Sequence, residues 1–446
     1  MKLWQKDKDS LKEVSEFTIG NDNELDLYLA PYDVLGSIAH IRMLESIGLL
    51  EKKELNELNK ELSSIYHEIE EGNFRIEDGV EDIHSQIELL LTRRLGDVGK
   101  KIHSGRSRND QVLVDIKLFL RDEIQSLVSE SKELFDLLTN LSEEHKEDLL
   151  PGYTHLQLAM PSSFGLWFGA YAESLVDDVV TLQSAYHITN KNPLGSAAGY
   201  GSSFPLNRKK TTELLGFADL NYNVVYAQMG RGKTEKVVAS AISNMASTMA
   251  KLSMDASLYL NQNFGFVSFP EELTTGSSIM PHKKNPDVFE LIRGRCNAIQ
   301  ALPTEMTLLT TNLPSGYHRD LQILKEHLFP AFSTLKDCMR MTKLMLANME
   351  VKKDILTDEK YKYLFSVEEV NKLVLAGVPF RDAYLQVGQA IADGKFKYST
   401  NLEHTHEGSI GNLQNDEVRR MMNEAIAEFD FEAANGALRK LVTEEF

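Results

Sequence analysis

Four short stretches of this 446-residue chain concentrate side chains suited to proton transfer and anion binding, and each interrupts sequence that otherwise reads as helix. One of them, Thr275-Gly276-Ser277-Ser278-Ile279-Met280-Pro281-His282-Lys283-Lys284-Asn285-Pro286, puts a serine hydroxyl and two lysines on a loop punctuated by Gly and Pro. A serine acts as a base only if its alkoxide is stabilised by cations and N–H donors, and Lys283 is the candidate charge. A second, Pro151-Gly152-Tyr153-Thr154-His155-Leu156-Gln157, falls between two expected helices and carries His155, an imidazole able to give or take a proton near working pH. A third, His103-Ser104-Gly105-Arg106-Ser107-Arg108-Asn109-Asp110-Gln111, stands before a long helical run. Its Ser and Asn are ordinary helix caps. Arg106 and Arg108 add guanidinium forks that fit a carboxylate, beside the free N–H groups of a helix start. The fourth, Leu313-Pro314-Ser315-Gly316-Tyr317-His318-Arg319-Asp320-Leu321-Gln322, opens a helix on which Lys325 lies one turn beyond Leu321 and Gln322. Alone, it reads as a helix start and nothing more.

Long helices must position these stretches. Asn109 to Leu150 contains neither Gly nor Pro, and Val112, Ile116, Phe119, Leu120, Ile124, Leu127, Leu134, Leu138 and Leu141 recur at helical spacing. Ser162 to Thr189, Thr234 to Asn263, Asp287 to Asn312 and Arg319 to Asn348 are further long helix-compatible segments. Pro303 and Pro330 are expected to kink or break the last two. The fold class that follows is all-α, a bundle of long helices between shorter helical ends. Domain limits are expected near residues 108 and 360, giving units 1–108, 109–360 and 361–446. Val237 to Leu260 is rich in Ala, Ser and Met and poor in charge, so little of it is expected to face water. Burial between copies of the chain, and hence a homo-oligomer, is the expectation. No internal repeat or low-complexity tract occurs.

Charge narrows the partners. With 66 acidic and 48 basic side chains the formal net charge is −18, a field that repels nucleic acid and anionic membrane alike. An anionic substrate therefore needs a locally basic pocket. The two cysteines, Cys296 and Cys338, stand in no zinc or disulfide spacing, which fits a reducing compartment. Met1 to Ser10 lacks the pattern of a cleaved leader, and no apolar run approaches the roughly 20 residues of a membrane span. A soluble cytoplasmic protein is expected.

Gly276-Ser-Ser-Ile-Met-Pro-His-Lys-Lys-Asn-Pro286 resembles the signature loop of the fumarase, aspartase and adenylosuccinate lyase superfamily, whose members eliminate fumarate or a close analogue from a succinyl group. Within it, the His103 to Gln111 stretch, Gly152-Tyr-Thr-His-Leu-Gln157, Leu313-Pro-Ser-Gly-Tyr317 and Asp320-Leu-Gln322 are similar to the argininosuccinate lyase family, which includes delta-crystallin. The resemblance covers nearly the whole chain. It implies three mostly helical domains, a homotetramer with a core of many helices, sites shared between subunits, no metal and no cofactor. By motif position it implies Ser277 and His155 as the catalytic pair, Glu290 as the carboxylate that orients His155, and Lys283 and Asn285 as charge-stabilising and substrate-binding loop residues. It assigns substrate contacts to Arg108, Asn109, Thr154, Tyr317, Gln322 and Lys325, a site-lining place to His84, and a weaker one to Arg106. The reaction implied is β-elimination of argininosuccinate to arginine and fumarate. Which of Ser277 and His155 removes the carbon proton and which protonates the leaving nitrogen stays open in sequence; the preferred reading makes Ser277 the base.

The chain departs from the family pattern in two places. Where a Ser-Asp-Arg-Asp type segment is usual, it reads Tyr226-Ala-Gln-Met-Gly-Arg-Gly-Lys-Thr234, and no serine in Phe17-Thr18-Ile19-Gly20 matches the substrate-touching serine near the family's amino terminus. Gly232-Lys233-Thr234 is no phosphate loop, because position 227, where that motif begins with Gly, is Ala227. His404-Thr405-His406 lacks a third spaced metal ligand. The rival enzyme is adenylosuccinate lyase, disfavoured by Arg106-Ser-Arg-Asn-Asp-Gln111; the rival from another class is a structural, non-catalytic relative, disfavoured by the intact Ser277, His155 and Lys283.

Overall fold

The run after Ser107 folds as one helix, Arg108–Glu144, whose 37 residues rise about 55 Å from end to end in the computed structural model, which describes residues 12–443. A capping box fixes its start: Ser107 Oγ accepts the Asn109 amide at 3.3 Å, and Asp110 Oδ1 accepts the Ser107 amide at 2.8 Å. The helix stops before Leu150. Instead, Leu149–Thr154 and Gln157–Ser163 pair as an antiparallel hairpin where the sequence suggested only a connection between helices. Gly152 permits the pairing, since a Cβ there would come within 2.7 Å of the Met160 carbonyl oxygen on the facing strand.

Around the long helix pack Phe164–Thr189, Leu324–Ala347 and the amino-terminal Ala30–Ser46. Lys233–Leu260 lies against Phe164–Thr189, Asp287–Ile299, Leu302–Leu309 and Leu324–Ala347, and buries Val238, Ala239, Ile242, Met245, Ala246 and Met249 within this one chain. Lys233 and Lys236 at its start and a narrow stripe of Asn244, Ser247, Lys251 and Met254 remain exposed. Pro303 begins a new helix, as Pro in a first turn should. Pro330 departs from expectation, because Leu324–Ala347 runs straight through it. It points outward while Leu328, Phe329, Ala331 and Phe332 are buried around it, and that packing outweighs one missing backbone hydrogen bond.

Flanking helices add two smaller apolar clusters. One joins Val34, Ile38 and Ile41 of Ala30–Ser46 to Leu55, Leu58 and Leu62 of Lys52–Glu70 and Ile87 of Ile83–Leu95. The other holds Ser366–Leu375 to Phe380–Ala392 through Val370, Ala383 and Val387. Asn415–Ala427 and Phe431–Thr443 then return to Phe164–Thr189 and Ala30–Ser46 respectively. Among the described residues, no helix is long and apolar enough to cross a membrane. Over the described residues the architecture is all-α apart from three two-stranded pairings.

Candidate functional site

At the amino-terminal end of the long helix a cavity of about 210 Å³ brings together six of the residues singled out in the sequence: His84, Arg108, Asn109, Tyr317, Gln322 and Lys325. Arg108 and Asn109 reach it from the first turn of Arg108–Glu144, and His84 from the first turn of Ile83–Leu95, which Asp82 caps by accepting the Ser85 amide at 2.8 Å. Lys325 comes from the start of Leu324–Ala347, and Gln322 from the 3₁₀ turn Arg319–Gln322 before it. Apart from Val112, the other lining groups are charged: Asp22, Asp26, Glu81, Asp82, Arg231 and Arg319. Charge is closely matched. Arg108 Nη1 lies 3.1 Å from Glu81 Oε2 and 3.0 Å from Asp82 Oδ2, while Arg319 Nη2 lies 3.1 Å from Glu81 Oε1. Lys325 Nζ sits 2.7 Å from Asp22 Oδ1 and 2.6 Å from Asp26 Oδ1. Burial alone would lower the Lys325 pKa, but the paired aspartates hold it above the usual lysine range.

Behind the cavity wall, His84 Nδ1 makes a short contact with Asp33 and lies 3.6 Å from Asp115 Oδ2. These three residues offer donor atoms within 4.8 Å of one another, a set that could ligate a metal. Burial would push His84 down, yet the Asp33 carboxylate raises it and so favours the imidazolium; burial would raise Asp33, and His84 holds it down. Asp115, buried and facing Asp33, is pushed well above the carboxylate range. Arg106 belongs to this layer rather than to the cavity: its Nη1 donates to Ser37 Oγ at 2.9 Å.

His155, Thr154, Ser277, Lys283, Asn285 and Glu290 do not line the cavity. His155 and Leu156 form the two-residue tip of the hairpin, both with left-handed backbone (φ 54° and 59°), a type I′ geometry that usually recruits Asn and Gly. Thr154 and His155 are exposed there. Ser277 lies on an exposed loop closed at its base by a bridge between Thr275 and Asn285. Its Oγ accepts the main-chain N–H groups of Met280 at 3.2 Å and Ile279 at 3.4 Å, donors of the kind an alkoxide needs. Glu290, in the first turn of Asp287–Ile299, lies 4.0 Å from Arg293 and is not paired with His155.

The two groups occupy opposite ends of the bundle. Arg108 begins the long helix and Arg231 lies two residues before Lys233–Leu260, and both line the cavity. Beyond the far ends of these same helices, Tyr153 of the hairpin stacks edge-on against Phe264 with ring centroids 5.4 Å apart. Asp287–Ile299 returns from that far end, because its Arg293 Nη1 meets Met254 Sδ at 3.0 Å. Some 40 to 55 Å of helix, by rise per residue, therefore separates the hairpin tip and serine loop from the cavity. Sequence reasoning missed Asp22, Asp26, Glu81, Asp82, Arg231 and Arg319; Glu81 and Asp82, directly before Ile83 and His84, were the readable signal. A larger cavity of about 730 Å³, lined by Tyr32, Tyr66, Arg121 and Asn435, contains none of the sequence-identified residues.

Comparison with known proteins brings in relatives of two kinds. Residues 7–301 match the family model described as Lyase. Argininosuccinate lyase of Parabacteroides distasonis is 63% identical over 441 residues, covering 99% of each chain, and argininosuccinate lyase of Bacteroides fragilis is 61% identical with the same coverage. Among solved structures, an EDDS lyase variant with bound fumarate superposes with a TM-score of 0.76 at 20% identity, over 98% of this chain and 95% of its own, a likeness of fold.

Proposed function

We infer the function from one premise: the chain belongs to the argininosuccinate lyase family, and it accordingly splits argininosuccinate by β-elimination into arginine and fumarate. The observation that carries this reading is identity of 63% sustained over 99% of both chains. Arg108, Arg231, Arg319 and Lys325 in the near-end cavity support it by offering cations to a substrate carboxylate, although the cavity's own four carboxylates balance them.

We assign the arginine end of the substrate to the cavity of His84, Arg108, Asn109, Tyr317, Gln322 and Lys325. The succinyl end goes to Thr154, His155, Ser277, Lys283 and Asn285, with Glu290 orienting His155. The proton to be removed lies on a carbon next to a carboxylate, so its loss loads that carboxylate with enolate-like charge. Ser277, as an alkoxide, takes this proton; the loop N–H groups that already meet its Oγ favour the charged form. Lys283 holds the charge that develops on the substrate. The electron pair then forms the carbon–carbon double bond of fumarate as the carbon–nitrogen bond breaks, and His155 delivers a proton to the departing guanidino nitrogen.

One chain holds the two halves of this constellation a bundle-length apart, so we propose that copies assemble, as a homotetramer, with the far end of one copy closing on the near end of another. Two buried, unpaired cysteines fit the cytoplasm as the place of action. The test of the chemistry is direct. Purified protein offered argininosuccinate should release fumarate, followed by ultraviolet absorbance, and Ser277→Ala should lower turnover by roughly 10²- to 10⁴-fold with folding and substrate binding spared. Near-normal turnover in that variant refutes the assignment, and fumarate from adenylosuccinate alone would transfer the chain to the rival enzyme.

A further inference from the structure

The amino-terminal segment, where no counterpart of the family's substrate-touching serine could be read, supplies the near-end cavity with two carboxylates, Asp22 and Asp26. The four carboxylates of that cavity are not equally satisfied. Glu81 is paired with two arginines. Asp82 binds Arg108 and caps the Ile83–Leu95 helix. Asp26 binds Lys325 at 2.6 Å and accepts the Ile83 amide at 3.2 Å. Asp22 has Lys325 alone, its Oδ1 2.7 Å from Lys325 Nζ, and shares that one cation with Asp26.

Asp22 is nevertheless mostly withdrawn from water, its side chain 13% exposed. The charged groups facing it are Lys325, Asp26 and Arg231. Burial outweighs the attraction of Lys325 and pushes its pKa up to about 6, so its negative charge is incompletely compensated. A buried, under-compensated carboxylate in a cavity calls for a further cation. The amino-acid end of argininosuccinate carries one, an α-ammonium group next to an α-carboxylate, and Asp22 and Lys325 stand side by side with the complementary order of charges. Gln322, one turn before Lys325, spends its side-chain amide on the carbonyl oxygens of Thr18 and Ile19, which ties the Asp22 segment to the same wall.

We propose that Asp22 is a substrate-binding residue whose carboxylate receives the α-ammonium group of argininosuccinate, while Lys325 beside it takes the α-carboxylate. The proposal rests on the assignment of the arginine end to this cavity. It makes Asp22 a specificity residue: substrates whose α-amino group is acylated lose both the charge and the room. A residue that merely latched the amino-terminal segment would affect all substrates alike.

The experiment compares argininosuccinate with Nα-acetyl-argininosuccinate in the wild type and in Asp22→Asn, an isosteric change, with thermal melting to confirm folding. The wild type should prefer the free amine. Asp22→Asn should raise KM for argininosuccinate by roughly ten- to a hundredfold, the worth of one charge-assisted hydrogen bond, leave kcat within a few-fold, and erase most of the preference. Asp22→Glu, which keeps the charge, should retain part of the preference. An active wild type that handles both substrates equally, or an Asp22→Asn variant whose preference is unchanged, overturns the role of Asp22 while leaving the lyase activity standing. A wild type that releases no fumarate from argininosuccinate overturns both readings together.

Discussion

Asp110 shows how much one side chain settles. Its Oδ1 accepts the Ser107 amide to close the capping box, and its Oδ2 accepts the amides of Gly195 and Ala197, each at 2.9 Å, so one carboxylate fastens the start of the long helix to a glycine-marked loop. Burial raises its pKa to about 6, which still leaves it mostly ionised at neutral pH. Asp110→Asn turns one acceptor into a donor facing N–H groups, and should cost about 2 kcal/mol in chemical denaturation and weaken substrate binding through the neighbouring Arg108 and Asn109. An unchanged midpoint would show that the loop is held elsewhere. Residue types near Asp110 were legible because they cluster in sequence. The layer behind His84 was not, since Asp33 and Asp115 come from two other helices and carry no local signal of their meeting.

Among elements, the long helix was the plainest feature in the sequence, and the hairpin the least legible. Freedom from Gly and Pro with apolar residues at helical spacing marked the first, while Pro151, Gly152 and Pro161 spoil a strand pattern that cross-strand pairing nonetheless sustains. The long helix carries a cost at Lys117, buried with only the Asn221 Oδ1 at 3.0 Å and the Ile188 carbonyl at 3.4 Å as partners. Burial lowers its pKa to about 8 from 10.5, so the folded chain binds fewer protons there than the unfolded chain between those values. Stability attributable to Lys117 must therefore rise with pH across that window, by up to about 3 kcal/mol. Denaturation of wild type and Lys117→Met in parallel should show their difference shifting in favour of wild type as pH rises from about 8. A difference independent of pH would mean that Lys117 is charged at no penalty.

For the molecule as a whole, the decisive fact is the distance between the two clusters of chemical groups. It was hidden from the sequence because motif order along a chain says nothing about which end of a bundle each motif reaches. Charge depletion in Lys233–Leu260 suggested burial between copies, yet most of that helix is already covered by its own chain, leaving Lys233, Lys236 and the Asn244, Ser247, Lys251 and Met254 stripe for any partner. If copies complete one another's sites, Ser277→Ala and Lys325→Ala lesions lie in different halves. Chains carrying one or the other, unfolded and refolded together, should regain turnover that neither has alone, in particles whose light-scattering mass is that of four 50.4 kDa chains. Mixtures as inactive as their parents would place both lesions in a site built by a single copy.

The exposed hairpin tip bears on the enzyme's early life. If copies complete one another's sites, a newly made copy, with His155 and the serine loop exposed at one end and the charged hollow at the other, is chemically idle. On this plan catalysis begins only when copies meet, so the onset of activity after synthesis follows encounter frequency and steepens with protein concentration, even though every chain is already folded.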